Sequence, residues 1–362
     1  MAASLVPFAC ALALVSCSGG TPPDDKTGAL LQEYKQMQTQ AAQDVRAWKG
    51  PGDGPDPRLI WAEKLEAFSA EHKGAGPAAD ALLGALVLRA SRGDHAGFFK
   101  AWDQAVTTIP DSTGLPEVFA QVVAMRWAEA GGPGVMTHPD RSLRRVAYKR
   151  ALPRIDGDFT RLIEAATNPA TLAAAHYSLG MAYYQLESDP ARALEHFTKV
   201  ITDYPDAPQA APARAFAHEL ETMAVGNPAP DFEITLLDGR TTRLSDHLGR
   251  VVLVDFWATW CQPCVDELPG LKNAYASYRA RGFTILGISL DEKTGPVRQF
   301  LQVHRIRWPV AASGLAMSDP VVQSWGVQQI PMSYLIDRKG IIRGRALFGD
   351  DVTRLVRELV ER

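Results

Sequence analysis

Apolar residues recur at helical spacing through the first third of the chain. Trp61, Leu65 and Phe68 lie at i, i+4 and i+7, which places them on one face of an amphipathic helix. The same kind of pattern, interrupted by glycine- and proline-rich stretches, predicts helices at 28–48, 58–72, 77–92, 94–108 and 115–130. Because short turns join successive helices, we predict an array of α-helical hairpins over residues 28–225.

The pattern changes at residue 226, where predicted strands begin to alternate with helices. Val251 to Trp257 form a nearly continuous apolar run, which is typical of a strand buried on both faces. Further strands are predicted at 283–290, 333–336 and 341–347, and helices at 264–281, 295–304 and 350–361. The alternation implies right-handed parallel crossovers, and the closing hairpin adds antiparallel strands. The predicted fold class is therefore multidomain, with an all-α helical-hairpin region followed by an α/β domain with a mixed central sheet at 226–362.

One helix pair, at 173–205, has a sharper pattern than the rest. It consists of Leu179, Gly180, Tyr183, Ala193, Phe197, Val200 and Pro205. With one residue inserted near the turn at 188–190, this pattern resembles a tetratricopeptide repeat. The small residues Gly180 and Ala193 would let the two helices approach closely. Two interpretations stay open, a concave surface that binds a partner and a helical spacer that only packs on the next domain.

The N-terminal residues 2–16 are apolar or small and carry no charged side chain. The run is shorter than the about 20 residues of a spanning helix and is typical of the apolar part of a signal peptide. It ends in Leu14-Val15-Ser16-Cys17, which resembles the bacterial lipobox. The resemblance implies a signal peptide at 1–16, an acylated Cys17, a linker at 17–27 and attachment to the outer or inner membrane, facing the periplasm. A cleaved soluble signal and an N-terminal core helix are the alternatives.

Composition narrows the possible functions. Hydrophobic residues make up 46% of the chain and charged residues 22%, which excludes disorder over most of its length. Lys plus Arg is 38 and Asp plus Glu is 41, a net charge of −3, so no excess of positive charge is available to bind nucleic acid. The four cysteines are too few for a disulfide-stapled scaffold, and two of them, Cys261 and Cys264, lie far from the N-terminus.

Cys261 and Cys264 form a Cys-x-x-Cys motif at the point where a predicted buried strand gives way to a helix. At a helix N-terminus, unpaired amides and the macrodipole favour the thiolate form of Cys261, and Cys264 lies one turn further on. Pro263 suits the first turn, where no amide hydrogen is needed. A zinc site needs two further ligands, and the sequence shows neither a second cysteine pair nor histidines at ligand spacing. We therefore predict a redox-active pair and no metal, over the alternative of two inert buried thiols.

The residues around this motif resemble the thioredoxin superfamily, most closely its exported TlpA/ResA-like and redoxin branch. The matching residues are Gly226 to Phe232, Val254 to Cys264, Glu267, Pro269, Gly326-Val327, Ile330-Pro331 and Leu335 to Gly340. The resemblance spans 226–362 and implies a thioredoxin fold, a thiol–disulfide oxidoreductase activity and no cofactor. It says nothing about the helical region.

The resemblance also assigns roles at the thiol site. Cys261 would be the attacking thiolate and Cys264 the resolving thiol. Pro331 would be cis, and the backbone at Ile330 would pair with an extended substrate peptide. Trp260 and Pro263, which flank the attacking cysteine, belong to the same expected substrate-binding surface.

Two acidic residues have expected roles in proton transfer. Asp255, inside the apolar strand, resembles the buried aspartate of thioredoxins and would accept the proton of Cys264. Glu267 resembles the acidic residue that cytochrome-maturation members keep near the active site. The alternatives are a hydrogen-bonded core acid for Asp255 and a favourable charge in the first helical turn for Glu267. Met332-Ser333 stand where the family usually has threonines, which bears on substrate preference.

The function predicted from these residues is an envelope-facing thiol–disulfide oxidoreductase that reduces disulfides of partner proteins. Such a reductase needs an electron donor in the membrane on the same side. One alternative is a tetratricopeptide adaptor whose thioredoxin-like domain only binds partners. The other is a peroxiredoxin, whose Pro-x-x-x-Thr-x-x-Cys motif is not matched, because Val254 and Ala258 occupy its Pro and Thr positions when the motif is aligned on Cys261.

Overall fold

A computed structural model of the protein describes residues 25–131, 141–186, 189–347 and 350–361. The predicted signal segment and Cys17 lie outside these ranges. The chain divides into an N-terminal unit, Met1–Ala210, and a C-terminal unit, Ala211–Arg362. In the described ranges no helix is both long enough and apolar enough to cross a membrane.

Helices make up most of the described part of the N-terminal unit. They are α1 (Asp25–Ala47), α2 (Pro57–Glu71), α3 (Gly76–Arg92), α4 (His95–Thr108), α5 (Phe119–Gly131), α6 (Arg141–Ala165), α7 (Pro169–Leu186) and α8 (Pro190–Asp203). Local chemistry sets several of the ends. The Asp56 side chain accepts a hydrogen bond from the Arg58 backbone N–H at the start of α2, and Gly93 ends α3 with a φ of 68°. The predicted helical N-terminal region is confirmed.

The apolar stripe predicted on α2 is buried. Trp61, Leu65 and Phe68 belong to one cluster that also contains Tyr34 of α1 and Leu88 of α3. Burying such a stripe supplies most of the stability of a surface helix, because intrinsic helix propensity alone is weak.

Helices α7 and α8 form a hairpin with a close approach at Gly180. A Cβ atom at this position would lie 2.6 Å from the ring of Phe197, so any larger residue would force the helices apart. Phe197 is fully buried at this contact. The glycine therefore performs the packing role that the repeat-like pattern predicted, whereas the likeness to a tetratricopeptide repeat stays a prediction.

The C-terminal unit is built on a five-stranded sheet with the order β5-β4-β3-β6-β7. Its strands are β3 (Val251–Trp257), β4 (Phe283–Ser289), β5 (Val310–Ala312), β6 (Met332–Ile336) and β7 (Ile342–Arg345), and a separate hairpin contains β1 (Glu233–Thr235) and β2 (Thr241–Arg243). The helices are α9 (Ala210–Thr222), α10 (Gln262–Tyr278), α11 (Thr294–Val303), α12 (Pro320–Ser324) and α13 (Asp350–Glu361). Strands β3, β4 and β5 are parallel, whereas β6 and β7 are antiparallel, which confirms the mixed sheet.

Strand β3 is the centre of this sheet, and every one of its residues is buried. Its carboxyl end lies beside the carboxyl end of β4, where Trp257 pairs with Ser289, and beside the start of β6, where Phe256 pairs with Met332. Loops that leave this edge can therefore meet around the chain segment that follows β3.

Helix α9 is packed into the C-terminal unit by a buried charge. Glu219 is 0% exposed, and its Oε1 accepts hydrogen bonds from the Tyr334 hydroxyl at 2.7 Å and from Arg345 Nη2 at 2.6 Å. These partners lie on β6 and β7. The contact explains why the C-terminal unit begins at Ala211, ahead of residue 226.

Candidate active site

The two cysteines lie where β3 leads into α10. Cys261 is the N-cap of α10, and its Sγ accepts a hydrogen bond from the Cys264 backbone N–H at 3.3 Å. The two residues are joined by a disulfide, with their Cα atoms 5.3 Å apart. Pro263 occupies the first turn of the helix. The helix start thus holds both sulfurs together and directs its free amides toward Cys261, which favours the thiolate when the bond is reduced.

Exposure to solvent differs sharply between the disulfide and the residue before it. Trp260 exposes 68% of its surface, whereas Cys261 and Cys264 are both buried. A large exposed indole directly before the first cysteine is an amphipathic contact surface of the kind that protein partners use.

The peptide bond between Ile330 and Pro331 is cis, and it directly precedes β6. Pro331 lines a small cavity together with Cys264, Asp255 and Glu267. The structure therefore brings four of the sequence-predicted site residues to one place. Trp260, Pro263 and Ile330 are not among the residues that line this cavity, and Cys17 lies outside the described residues.

Asp255 is the electrostatically unusual group of the cavity. It is 8% exposed, and burial raises the pKa of its carboxyl group to about 7, with a further contribution from the negative charge of Glu267. Removing a carboxylate from water disfavours its charged form, and a second carboxylate nearby acts in the same direction. Asp255 can therefore both take up and release a proton near neutral pH.

The cavity is also lined by Leu271, Ser333 and Leu347, none of which was among the predicted site residues. Ser333 Oγ accepts a hydrogen bond from the Leu347 backbone N–H at 3.1 Å and lies 3.2 Å from the Leu347 carbonyl oxygen, to which it donates. Both residues of this pair line the cavity. Ser333 stands directly opposite Asp255 in the antiparallel register, so a correct pairing of β3 with β6 would have identified it.

No group of three or more potential metal ligands (His, Cys, Asp or Glu) gathers anywhere in the described ranges. Two histidines do come together, a contact that the sequence pattern did not predict. The Nδ1 atoms of His176 and His196 lie 3.1 Å apart in the buried interior of the α7–α8 hairpin. One Nδ1 donates to the other, so these two ring nitrogens satisfy each other within the N-terminal unit.

Comparisons with known proteins match the C-terminal part of the chain. The model of the AhpC/TSA family matches residues 225–345. Thiol-disulfide oxidoreductase ResA of Bacillus thuringiensis subsp. konkukian is 34% identical over 120 residues, which are 33% of this chain and 68% of that protein. ResA of Geobacillus thermodenitrificans is 34% identical over 128 residues, 35% of this chain and 72% of that protein.

Among solved structures, the thioredoxin domain of a thiol-disulfide oxidoreductase from Bacteroides vulgatus is similar at 31% identity with a TM-score of 0.36. The match covers 38% of this chain and 98% of that domain.

Proposed function

The chain belongs to the family of ResA-like thiol–disulfide oxidoreductases, and on that premise we propose that it reduces disulfides of partner proteins in the cell envelope. The reducing agent is the Cys261/Cys264 dithiol. The observation that carries the proposal is the cavity in which Cys264, Asp255, Glu267 and Pro331 meet, because it sets a proton acceptor beside the resolving thiol.

The reaction proceeds in two thiol–disulfide exchanges. The Cys261 thiolate attacks one sulfur of the partner's disulfide, which forms a mixed disulfide and releases the other sulfur as a thiolate. Cys264 then gives its proton to Asp255 and attacks Cys261 Sγ. This step releases the second partner sulfur as a thiolate and leaves the Cys261–Cys264 disulfide. Two electrons pass from the dithiol to the partner, and a donor in the membrane would have to return them.

Asp255 suits this step because of its raised pKa. An acceptor is most effective when its pKa lies near the working pH, and the pKa of about 7 meets that condition. Glu267 contributes by keeping the pKa of Asp255 high. After reduction of the partner, Asp255 is protonated, and it returns this proton to Cys264 when the dithiol is regenerated.

Partner proteins would bind across the exposed Trp260 and the backbone at Ile330, with Pro263 beside the attacking sulfur. The side chains of Met332 and Ser333 are buried, and Ser333 lines the cavity, so the departure from the family's threonines would act inside the domain rather than through direct contacts with a partner. The helical N-terminal unit is available for a partner of its own. Acylation at Cys17 would hold the protein at the membrane near its electron donor.

The reduction potential of the Cys261/Cys264 pair tests the proposal. It is measured by equilibration in defined thiol buffers, followed by tryptophan fluorescence and by trapping of free thiols. A value near roughly −270 mV marks a reductant, and one near about −120 mV marks a disulfide donor and would refute the proposed direction. A Cys261→Ser, Cys264→Ser variant must lose the activity, because its retention would favour the adaptor alternative.

A further inference from the structure

A buried aspartate at the end of β4 holds the segment that leads to the attacking cysteine. Asp291 is 5% exposed and lies just after β4. Its Oδ2 accepts a hydrogen bond from the Thr259 backbone N–H at 2.9 Å, and its Oδ1 accepts one from the Thr259 hydroxyl at 2.5 Å. Thr259 is two residues before Cys261, in the turn between β3 and α10.

The aspartate is itself fixed to the sheet. The Ser289 hydroxyl donates to Asp291 Oδ2 at 2.8 Å, and the Asp291 backbone N–H donates back to the same hydroxyl at 3.1 Å. The Leu290 backbone N–H donates to the Trp257 carbonyl at 2.8 Å, so the ladder between β3 and β4 continues up to this point. Both carboxylate oxygens are therefore held on a rigid element and directed at Thr259.

The geometry points to Asp291 as a positioning residue: by fixing Thr259 it sets the turn that places Cys261 at the N-terminus of α10. The turn closes through a hydrogen bond from the Cys261 backbone N–H to the Ala258 carbonyl at 3.2 Å, so Thr259 is inside it. This inference rests on the proposed function, since it concerns the attack by Cys261.

We expect the Asp291 contacts to restrain Cys261 more in the reduced protein than in the oxidised one. In the oxidised state the disulfide itself restrains Cys261, whereas in the dithiol this restraint is absent and the hydrogen bonds to Thr259 remain. A thiolate is stabilised at a helix N-terminus only while it stays close to the free amides. Loss of the Asp291 contacts would let Cys261 move away from them and would raise the pH at which it becomes a nucleophile.

The test is the pH dependence of Cys261 alkylation in the reduced full chain, with the modified cysteine assigned by mass spectrometry. Asp291→Ala should move the midpoint upward by roughly one pH unit and slow mixed-disulfide formation at neutral pH about tenfold. Thr259→Val keeps the backbone contact and loses only the hydroxyl, so it should give a smaller shift in the same direction. Thr259→Ser, which restores the hydroxyl, should return the midpoint to that of the wild type.

Asp337 offers a matched control at the opposite end of the sheet. Its carboxylate accepts hydrogen bonds from the backbone N–H groups of Lys339 at 2.8 Å and Ile341 at 3.0 Å, so Asp337→Ala also removes a turn anchor, in this case a half-buried one. This variant should leave the alkylation midpoint unchanged. An equal shift in the control would mean general loosening of the unit and would overturn the inference.

Two further outcomes would also overturn it. A midpoint that moves to lower pH in Asp291→Ala would mean that the carboxylate acts through its charge, because removing a nearby negative charge favours the thiolate. An unchanged midpoint in both Asp291→Ala and Thr259→Val would show that the contacts do not position Cys261. If Asp291→Ala does not fold, the midpoints of Thr259→Val and Thr259→Ser show whether the contacts position Cys261. Failure of the proposed function is seen separately, as a wild-type protein that does not reduce a disulfide substrate.

Discussion

Replacing Asp255 with asparagine should stabilise the oxidised C-terminal unit at neutral pH and leave its stability nearly unchanged in acid. In the folded protein the pKa of Asp255 is raised to about 7 from the usual 3.8, mainly by burial. Below pH 4 the group is protonated in both the folded and the unfolded chain. As the pH rises toward 7 it ionises first in the unfolded chain, so the free energy of unfolding falls across this range and is constant above it.

The size of the effect follows from the difference in pKa. The two values, about 7 and 3.8, differ by about three units, and each unit corresponds to 1.36 kcal/mol. Ionisable Asp255 therefore costs about 4 kcal/mol of stability above pH 7, an upper estimate because burial leaves some access to water. Asparagine has nearly the same shape and cannot ionise, so Asp255→Asn should recover much of this amount.

The measurement is hydrogen exchange across a urea series at pH 4, 6 and 8, performed on the oxidised full chain and followed on peptides of strand 251–257. Exchange in these peptides reports opening of the C-terminal unit separately from the helical unit. Using the oxidised protein keeps the thiols from titrating. A stability difference between Asp255→Asn and the wild type that is the same at pH 4 and pH 8 would refute the reasoning.

Two variants sharpen the result. Glu267→Gln removes the charge that adds to the raised pKa of Asp255, so the pH range of the effect should move downward while most of the effect persists. At Asp337 the same replacement should change the stability in the opposite direction. Burial acts to raise the pKa of Asp337, but hydrogen bonds from Ile341, Arg343 and Lys339 together lower it. Asp337→Asn should therefore destabilise the protein at neutral pH, and this loss should fade as the pH falls through the pKa of Asp337.

Three other predictions test separate parts of the chain. Glu219→Ala breaks a buried ion pair with Arg345 and should destabilise the C-terminal unit by about 3–5 kcal/mol in urea unfolding, and a change under ~1 kcal/mol would contradict the described contact. Gly180→Ala would place a Cβ 2.6 Å from the ring of Phe197 and should cost about 1–3 kcal/mol, measured as a lower melting temperature by circular dichroism, while an unchanged temperature would count against the close approach. Cys17→Ala should abolish incorporation of radiolabelled fatty acid and release the protein from the membrane fraction, and continued partitioning with membranes would exclude acylation there.

The sequence reveals the parts of the site that are encoded locally. The Cys-x-x-Cys motif and the apolar run of β3 each occupy a few neighbouring residues, so their chemistry and burial can be read without knowing the fold. Pro331 and Asp255 could be added only because the resemblance to thioredoxins supplied the long-range pairing. The mixed sheet followed from the order of strands and helices, which is also a property of the linear pattern.

The contacts that were missed join residues far apart in the chain. Thr259 and Asp291 are 32 residues apart, and Glu219 and Arg345 are 126 residues apart. An aspartate after a strand or a glutamate in a helix is ordinary by itself, and only the folded arrangement gives it a specific partner. Strand β5 was missed for a different reason, because its three residues, Val310–Ala312, are too few to show a strand pattern.

The buried carboxylate of Glu219 also determines where a stable fragment that contains the two cysteines has to begin. A fragment cut at residue 226, where the sequence similarity begins, would retain Tyr334 and Arg345 but lose the carboxylate that binds both. A fragment that starts at Ala211 keeps the helix and its charge. Gene fusions or recombination events that exchange the thiol-containing half for another would therefore yield stable hybrids when the crossover falls before α9, and impaired ones when it falls between α9 and β1. Helix α9 and the domain that contains the two cysteines should therefore be transferred together.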